Sequence, residues 1–211
     1  MKNLLRLLGL CLAITVLSLL VPGCAQNEPT PEPPEPTPSP SEPTPMPTDL
    51  PVEIVIYTDL NCKNCARLHF EVERELVQRY VNTGKATMKI YLLAALGPES
   101  VLAAQATLCA AEQDRFWEYR DNILAAWREA GKSAYSEEQL RNAAKNLGLD
   151  EEAFGLCLRN PAILEKLQQN LQKSQADGIN EVPIVLINGI KVVGIQPLET
   201  FIDIIEEQLA K

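Results

Sequence analysis

Histidine is almost missing: His69 is the only one in 211 residues. Cysteine is sparse as well, six in all, and only Cys62 and Cys65 have the C-x-x-C spacing. A structural zinc site needs a second such pair, or histidines to match it. Zinc is therefore set aside and no metal is expected. His69 itself falls in phase with Arg and Glu on its helix rather than with an apolar face. A basic excess is lacking too: 19 Lys and Arg stand against 28 Asp and Glu, a net charge of −9. Nucleic-acid binding needs a basic footprint, so nucleic acid is excluded as a partner. No internal repeat is visible. The apolar stretch Leu7–Leu20 falls short of the roughly 20 residues that span a bilayer.

What is present centres on Ile54-Val-Ile-Tyr-Thr-Asp-Leu-Asn-Cys62-Lys-Asn-Cys65. Val52, Ile54, Val55, Ile56 and Tyr57 are apolar and mostly β-branched, as a buried strand requires. After Cys65 the period changes. Leu68, Val72, Leu76 and Tyr80 recur every four residues among Glu and Arg, which predicts an amphipathic helix to about Val81. Cys62 then sits at a helix N-terminus, where free N–H groups and the helix dipole favour thiolate over thiol. Cys65 lies one turn in. One sulfur attacks and the other resolves, which is dithiol–disulfide exchange.

The N-terminus reads as a targeting segment over residues 1–23. Lys2 and Arg6 form a basic region and Leu7–Leu20 an apolar one of signal-peptide length. The end, Leu20-Val-Pro-Gly-Cys24, resembles a bacterial lipobox, although Pro22 is unusual there. Lipidation of Cys24, by palmitate or a similar acyl chain, is the implied event. An ordinary signal peptide cut nearby, or an uncleaved anchor, is the alternative. Residues 24–50 form the lipidated cysteine and a Pro-rich linker: 11 of the 16 prolines lie between Pro29 and Pro51. Such a segment builds no core and favours extended polyproline II, as a stalk would. Four cysteines remain beyond it, Cys62, Cys65, Cys109 and Cys157, an even number that fits two disulfides in an exported protein.

Residues 51–211 read as one domain. A second strand is predicted at Ala86–Leu93, so the first unit is a parallel βαβ crossover. Residues 98–177 are helical. Phe116 to Trp127 form one helix, Ser136-Glu-Glu-Gln139 is a capping box, and Asp150 and Asn160-Pro161 open two more. The last of these should turn Ile163, Leu164, Leu167 and Leu171 inward. Two strands follow, Glu181–Ile187 and Ile190–Val193, joined by Asn188-Gly189 in a type I′ turn. Pro197 starts a final amphipathic helix.

In Tyr57–Cys65, Phe116-Trp-Glu-Tyr-Arg-Asp121, Phe154-Gly-Leu-Cys-Leu158 and Gly178-Ile-Asn-Glu-Val-Pro-Ile184, the chain resembles the DsbA-like branch of the thioredoxin superfamily. The resemblance covers the whole domain. It implies an α/β thioredoxin-like fold with a helical domain inserted between its βαβ and ββα halves. It also implies thiol–disulfide exchange outside the cytoplasm, without cofactor. In that pattern Cys62 is the nucleophile and Cys65 resolves. Pro183 matches a proline that is cis beside the active site, leaving the Val182 backbone free to pair with an extended substrate; by sequence alone it fits equally a trans proline at a strand edge. Lys63 and Asn64 stand where Pro-His is familiar, and they should tune the thiolate; the alternative for Lys63 is a solvated surface lysine. Ile56 occupies the position where many thioredoxin relatives bury an acid. Glu53 and Asp59 are the nearest acids, and Asp59 either reaches the site or shapes the turn. A Cys109–Cys157 structural disulfide is known in part of the family; two buried free thiols are the alternative.

The reading that results is a membrane-anchored, extracytoplasmic thiol–disulfide oxidoreductase, lipid-anchored to a bacterial membrane. It introduces disulfides into exported proteins, with a quinone-linked membrane partner to reoxidise it. A reductase or isomerase kept reduced by a membrane electron donor is the alternative. A lipoprotein handling a soft metal such as copper is the remoter one.

Overall fold

The structure is a computed structural model that describes residues 51–211. The expectations for residues 1–50, namely the signal segment, lipidation of Cys24 and the Pro-rich linker, lie outside the described residues.

Four strands form one sheet in the order β2-β1-β3-β4. Strand β1 (Val52–Thr58) pairs parallel with β2 (Ala86–Leu92) and antiparallel with β3 (Ile184–Ile187). β3 in turn pairs antiparallel with β4 (Ile190–Val193). A central strand covered on both faces must be apolar throughout, which explains the β-branched run: in β1 only Glu53 is exposed. The β3–β4 turn places Asn188 at φ 46° and Gly189 at φ 83°, the positive pair a two-residue hairpin needs. Asn188 also accepts a bond from the Glu53 N–H at 2.8 Å. β3 begins three residues later than expected, because Pro183 has no N–H to offer a neighbouring strand.

Helix α1 runs over residues 63–81. Its apolar residues Leu68, Val72, Leu76 and Tyr80 are all buried. On a regular α-helix a spacing of four drifts by about 40° per step. Two π-helical stretches, His69–Glu73 and Val77–Val81, widen the turn and hold the stripe on the sheet. His69 and Glu73 lie along one edge of that stripe and are buried too, each 2 % exposed, where Arg120 and Asp121 of the insert meet them. The outer-face placement expected for His69 is therefore corrected: at about 100° per residue it falls between Leu76 and Tyr80 on the buried side.

Five helices follow before β3: α2 (Pro98–Ala111), α3 (Phe116–Ala130), α4 (Glu137–Asn146), α5 (Glu151–Leu158) and α6 (Pro161–Ala176). Ser136, Asp150 and Asn160 cap the last three, accepting from Gln139, Ala153 and Ala162 N–H groups at 3.3, 2.8 and 3.0 Å. These helices share a core around Ala106, Tyr119, Leu140, Phe154 and Leu167. A second core lies between the sheet, α1 and the last helix, α7 (Leu198–Leu209), around Ile54, Val72, Val185 and Phe201. In α6 the buried stripe is Ile163, Leu167 and Ser174. Leu164 and Leu171 are corrected to the surface, 41 % and 36 % exposed. Both lie about 40° or more around the helix beyond that stripe.

Candidate active site

β1 delivers the chain into a turn that ends at the start of α1. Asp59, 1 % exposed, governs that turn. Its carboxylate accepts from the N–H groups of Asn61 (2.8 Å), Ala95 (2.7 Å) and Leu96 (3.2 Å) and from the Ser100 hydroxyl (2.6 Å). Its hydrogen-bonding capacity is taken up by the turn. Helix α3 and the short 3-10 turn Gly131–Tyr135 hold the same turn from the other side. Trp127 Nε1 donates to Asn61 Oδ1 at 3.1 Å, and the Tyr135 hydroxyl donates to the Leu60 carbonyl at 2.8 Å. Burial, with Asp59 nearby, pushes the Tyr135 phenol far above its usual range, so it keeps the proton it donates. Asn61, Ser100, Trp127 and Tyr135 are missed by sequence reasoning. Only Asn61 carries a local signal, its place directly before Cys62.

Cys62 and Cys65 are joined as a disulfide, their Cα atoms 5.2 Å apart. Cys62 is the N-cap of α1, with extended backbone at φ −112° and ψ 121°. Its Sγ accepts from the Cys65 N–H at 3.1 Å. That donor and the helix dipole favour negative charge on the sulfur once the bond is reduced. Cys65 is buried at 2 % exposure, whereas Cys62 is only half-buried, so an incoming thiol meets Cys62 first. Lys63 and Asn64 are both exposed. Ile56 is fully buried, and an acid is absent from that position.

The Val182–Pro183 peptide is cis. The Val182 carbonyl oxygen lies 3.9 Å from Cys62 Sγ, so the loop before β3 stands beside the disulfide. A groove of about 850 Å³ opens here, walled by Asn64, Leu93, Leu96, Leu171, Ile179 and Val182. The exposed Leu171 is one of its apolar walls. Cys109 and Cys157 are bridged, linking α2 to α5 within the helical insert, both buried. No group of three or more His, Cys, Asp or Glu suited to a metal ion occurs among the described residues.

A buried charge network ties the helix that carries the cysteines to the insert. Arg120 on α3 bonds both carboxylate oxygens of Glu73 on α1, Nη2 to Oε2 at 2.9 Å. His69 Nδ1 lies 3.2 Å from Glu73 and its Nε2 lies 2.7 Å from Asp121. Burial raises the Glu73 pKa, but Arg120 and His69 outweigh it and hold the carboxyl down at about 2. For His69 burial acts downward, and the Asp121 and Glu73 carboxylates reverse it, so the net direction is up.

The thioredoxin family's sequence model matches residues 48–207. The chain belongs to the thioredoxin family. Among curated relatives of this thioredoxin-family chain, the probable disulfide bond formation protein D of Bacillus anthracis is 28% identical over 145 residues, 67% of each chain. The solved structure of Wolbachia pipientis α-DsbA1 superposes with a TM-score of 0.66 at 21% identity, covering 79% of this chain and 93% of that one. Oxidised BdbD from Bacillus subtilis does so with a TM-score of 0.67 at 18% identity, covering 78% and 90%. These likenesses show a DsbA-like thioredoxin fold, with the helical insert between its two halves.

Proposed function

We propose that this thioredoxin-family protein is an extracytoplasmic protein thiol–disulfide oxidoreductase, lipid-anchored through Cys24, that introduces disulfides into exported proteins. The observation that carries the reading is one juxtaposition. A half-exposed Cys62 caps a helix, its partner Cys65 is buried, and the cis Val182–Pro183 peptide stands beside them. The name of the Bacillus anthracis relative points the same way.

In the forward reaction a substrate thiolate attacks Cys62 Sγ. The Cys62–Cys65 bond breaks, Cys65 leaves as a thiolate, and the substrate is held in a mixed disulfide with Cys62. A second substrate thiolate then attacks the substrate's own sulfur and releases Cys62 as a thiolate. Two electrons pass to the protein, and the substrate leaves with a disulfide. A quinone-linked membrane partner removes those electrons and restores the Cys62–Cys65 bond. The Cys65 N–H stabilises the Cys62 thiolate as leaving group. The free backbone of Val182 receives an extended substrate by strand addition. Exposed Lys63 adds a fixed cation next to Cys62, and Asn64 adds a hydrogen-bond donor.

The test is the reduction potential of Cys62–Cys65, read from the oxidised fraction in glutathione buffers. A value above about −180 mV is expected and makes the disulfide a donor. A value near −250 mV or below would overturn the oxidase direction and make the protein a reductase or isomerase fed by an electron donor.

A further inference from the structure

On the α1 side of the cysteines lies a second cavity, of about 480 Å³, between α1 and the C-terminal end of α3. Lys63, Arg67, Phe70, Glu71, Trp127 and Arg128 line it. Lys63 also lines the groove of Cys62 and Val182, so the two cavities adjoin at the residue after the nucleophile. The charge here opposes that of the molecule. Three cations face one acid in a chain whose net charge is −9. That acid, Glu71, is already engaged by Arg67, at 2.9 and 3.0 Å. Among the described residues neither Lys63 nor Arg128 has a carboxylate within ion-pair distance. Arg128 is instead laid over the Phe70 ring, its Cζ 4.6 Å from the centroid. Stacking fixes the plane of a guanidinium while its N–H edge stays free to bind an anion. Trp127 anchors the other wall through its bond to Asn61.

We infer that this cleft receives an acidic side chain, with an apolar neighbour, from the protein substrate whose cysteine is bonded to Cys62. The inference rests on the exchange function proposed above and names a substrate preference of the same site. Cations fixed beside aromatic rings match a carboxylate borne on a partly apolar segment. The reach is right as well. Arg67 lies five residues into the helix from Cys62, about 7 Å along its axis, which two to three residues of extended substrate cover. The preference acts on encounter and orientation, and salt screens it.

The test uses the full chain in its oxidised form and matched peptides with one cysteine. The residues two and three places from that cysteine are Glu-Glu, Gln-Gln or Lys-Lys. Rates of mixed-disulfide formation are divided by each peptide's rate with a small aromatic disulfide, which removes differences in thiol reactivity. At low salt the Glu peptide should react about fivefold faster than the Gln peptide, and the Lys peptide slowest. The ratio should shrink in 0.3 M salt and fall to about one in Arg128→Gln. Equal normalised rates for Glu and Gln peptides, or a ratio that Arg128→Gln leaves untouched, would overturn the inference. So would indifferent peptide rates combined with Arg128-dependent sedimentation on phosphatidylglycerol vesicles, which would assign the cleft to lipid headgroups. Failure to form a mixed disulfide with any peptide would sink the exchange function itself, whereas indiscriminate mixed-disulfide formation sinks the preference alone.

Discussion

Asp59 shows how one residue can serve the cysteines without acting on them. Four donors converge on its buried carboxylate, two of them from the loop after β2 and one from α2. Asp59→Ala leaves those donors unpaired and should cost about 3 kcal/mol, seen as a lower midpoint in urea unfolding, with slower exchange at Cys62. Asp59→Asn keeps the size and some of the bonds, and should lie between. Unequal exposure of the two cysteines makes a second expectation. With the roles proposed above, Cys65→Ser leaves an adduct at Cys62 unresolved and should accumulate mixed disulfides that a non-reducing gel displays. Cys62→Ser should form none. The type and spacing of both cysteines were legible in the sequence. The turn that supports them was not, because Ser100, Trp127 and Tyr135 are brought to it from up to 75 residues away.

At the scale of elements, the link between α1 and α3 is a charge network centred on buried Glu73 and Arg120. His69 and Glu73 face Arg120 and Asp121 from α3, with Arg74 also within 3.3 Å of Asp121. The folded pKa of His69 stands above its usual 6.5, so its contribution is complete below that pH and is lost as pH rises beyond it. The folded pKa of Glu73 stands below its usual 4.5, so its contribution is complete above that pH and is lost as pH falls toward 2. Both are present together between about pH 4.5 and 6.5. Thermal unfolding should give its highest Tm in that window. The His69→Gln variant should lose the decline above pH 6.5 and weaken the acid limb without abolishing it, since Arg120 still holds Glu73 down. An unchanged alkaline decline in that variant would show that His69 is not its source. Leu164 and Leu171 make the complementary point. Periodicity placed both on a helix and near an apolar face, but a four-residue repeat does not say how wide that face's partner is.

At the scale of the whole molecule, the Cys109–Cys157 bridge closes a loop between residues 48 apart. By chain entropy such a closure is worth about 4 kcal/mol. Replacing both cysteines by alanine should lower the urea midpoint accordingly, while the Cys62–Cys65 potential stays within experimental error. A large shift in that potential would mean that the insert tunes the cysteines as well as supporting them. The order of elements, the C-x-x-C at a helix start, the capping residues and the Asn188-Gly189 turn were all determined by the sequence itself. Each depends on neighbours a few residues apart, where propensity and hydrogen-bond geometry act locally. Tertiary structure alone decided that His69 is buried, that Asp59 serves the turn, and that Lys63, Arg67 and Arg128 converge beside Phe70. Those outcomes depend on which surfaces meet once α3 packs on α1.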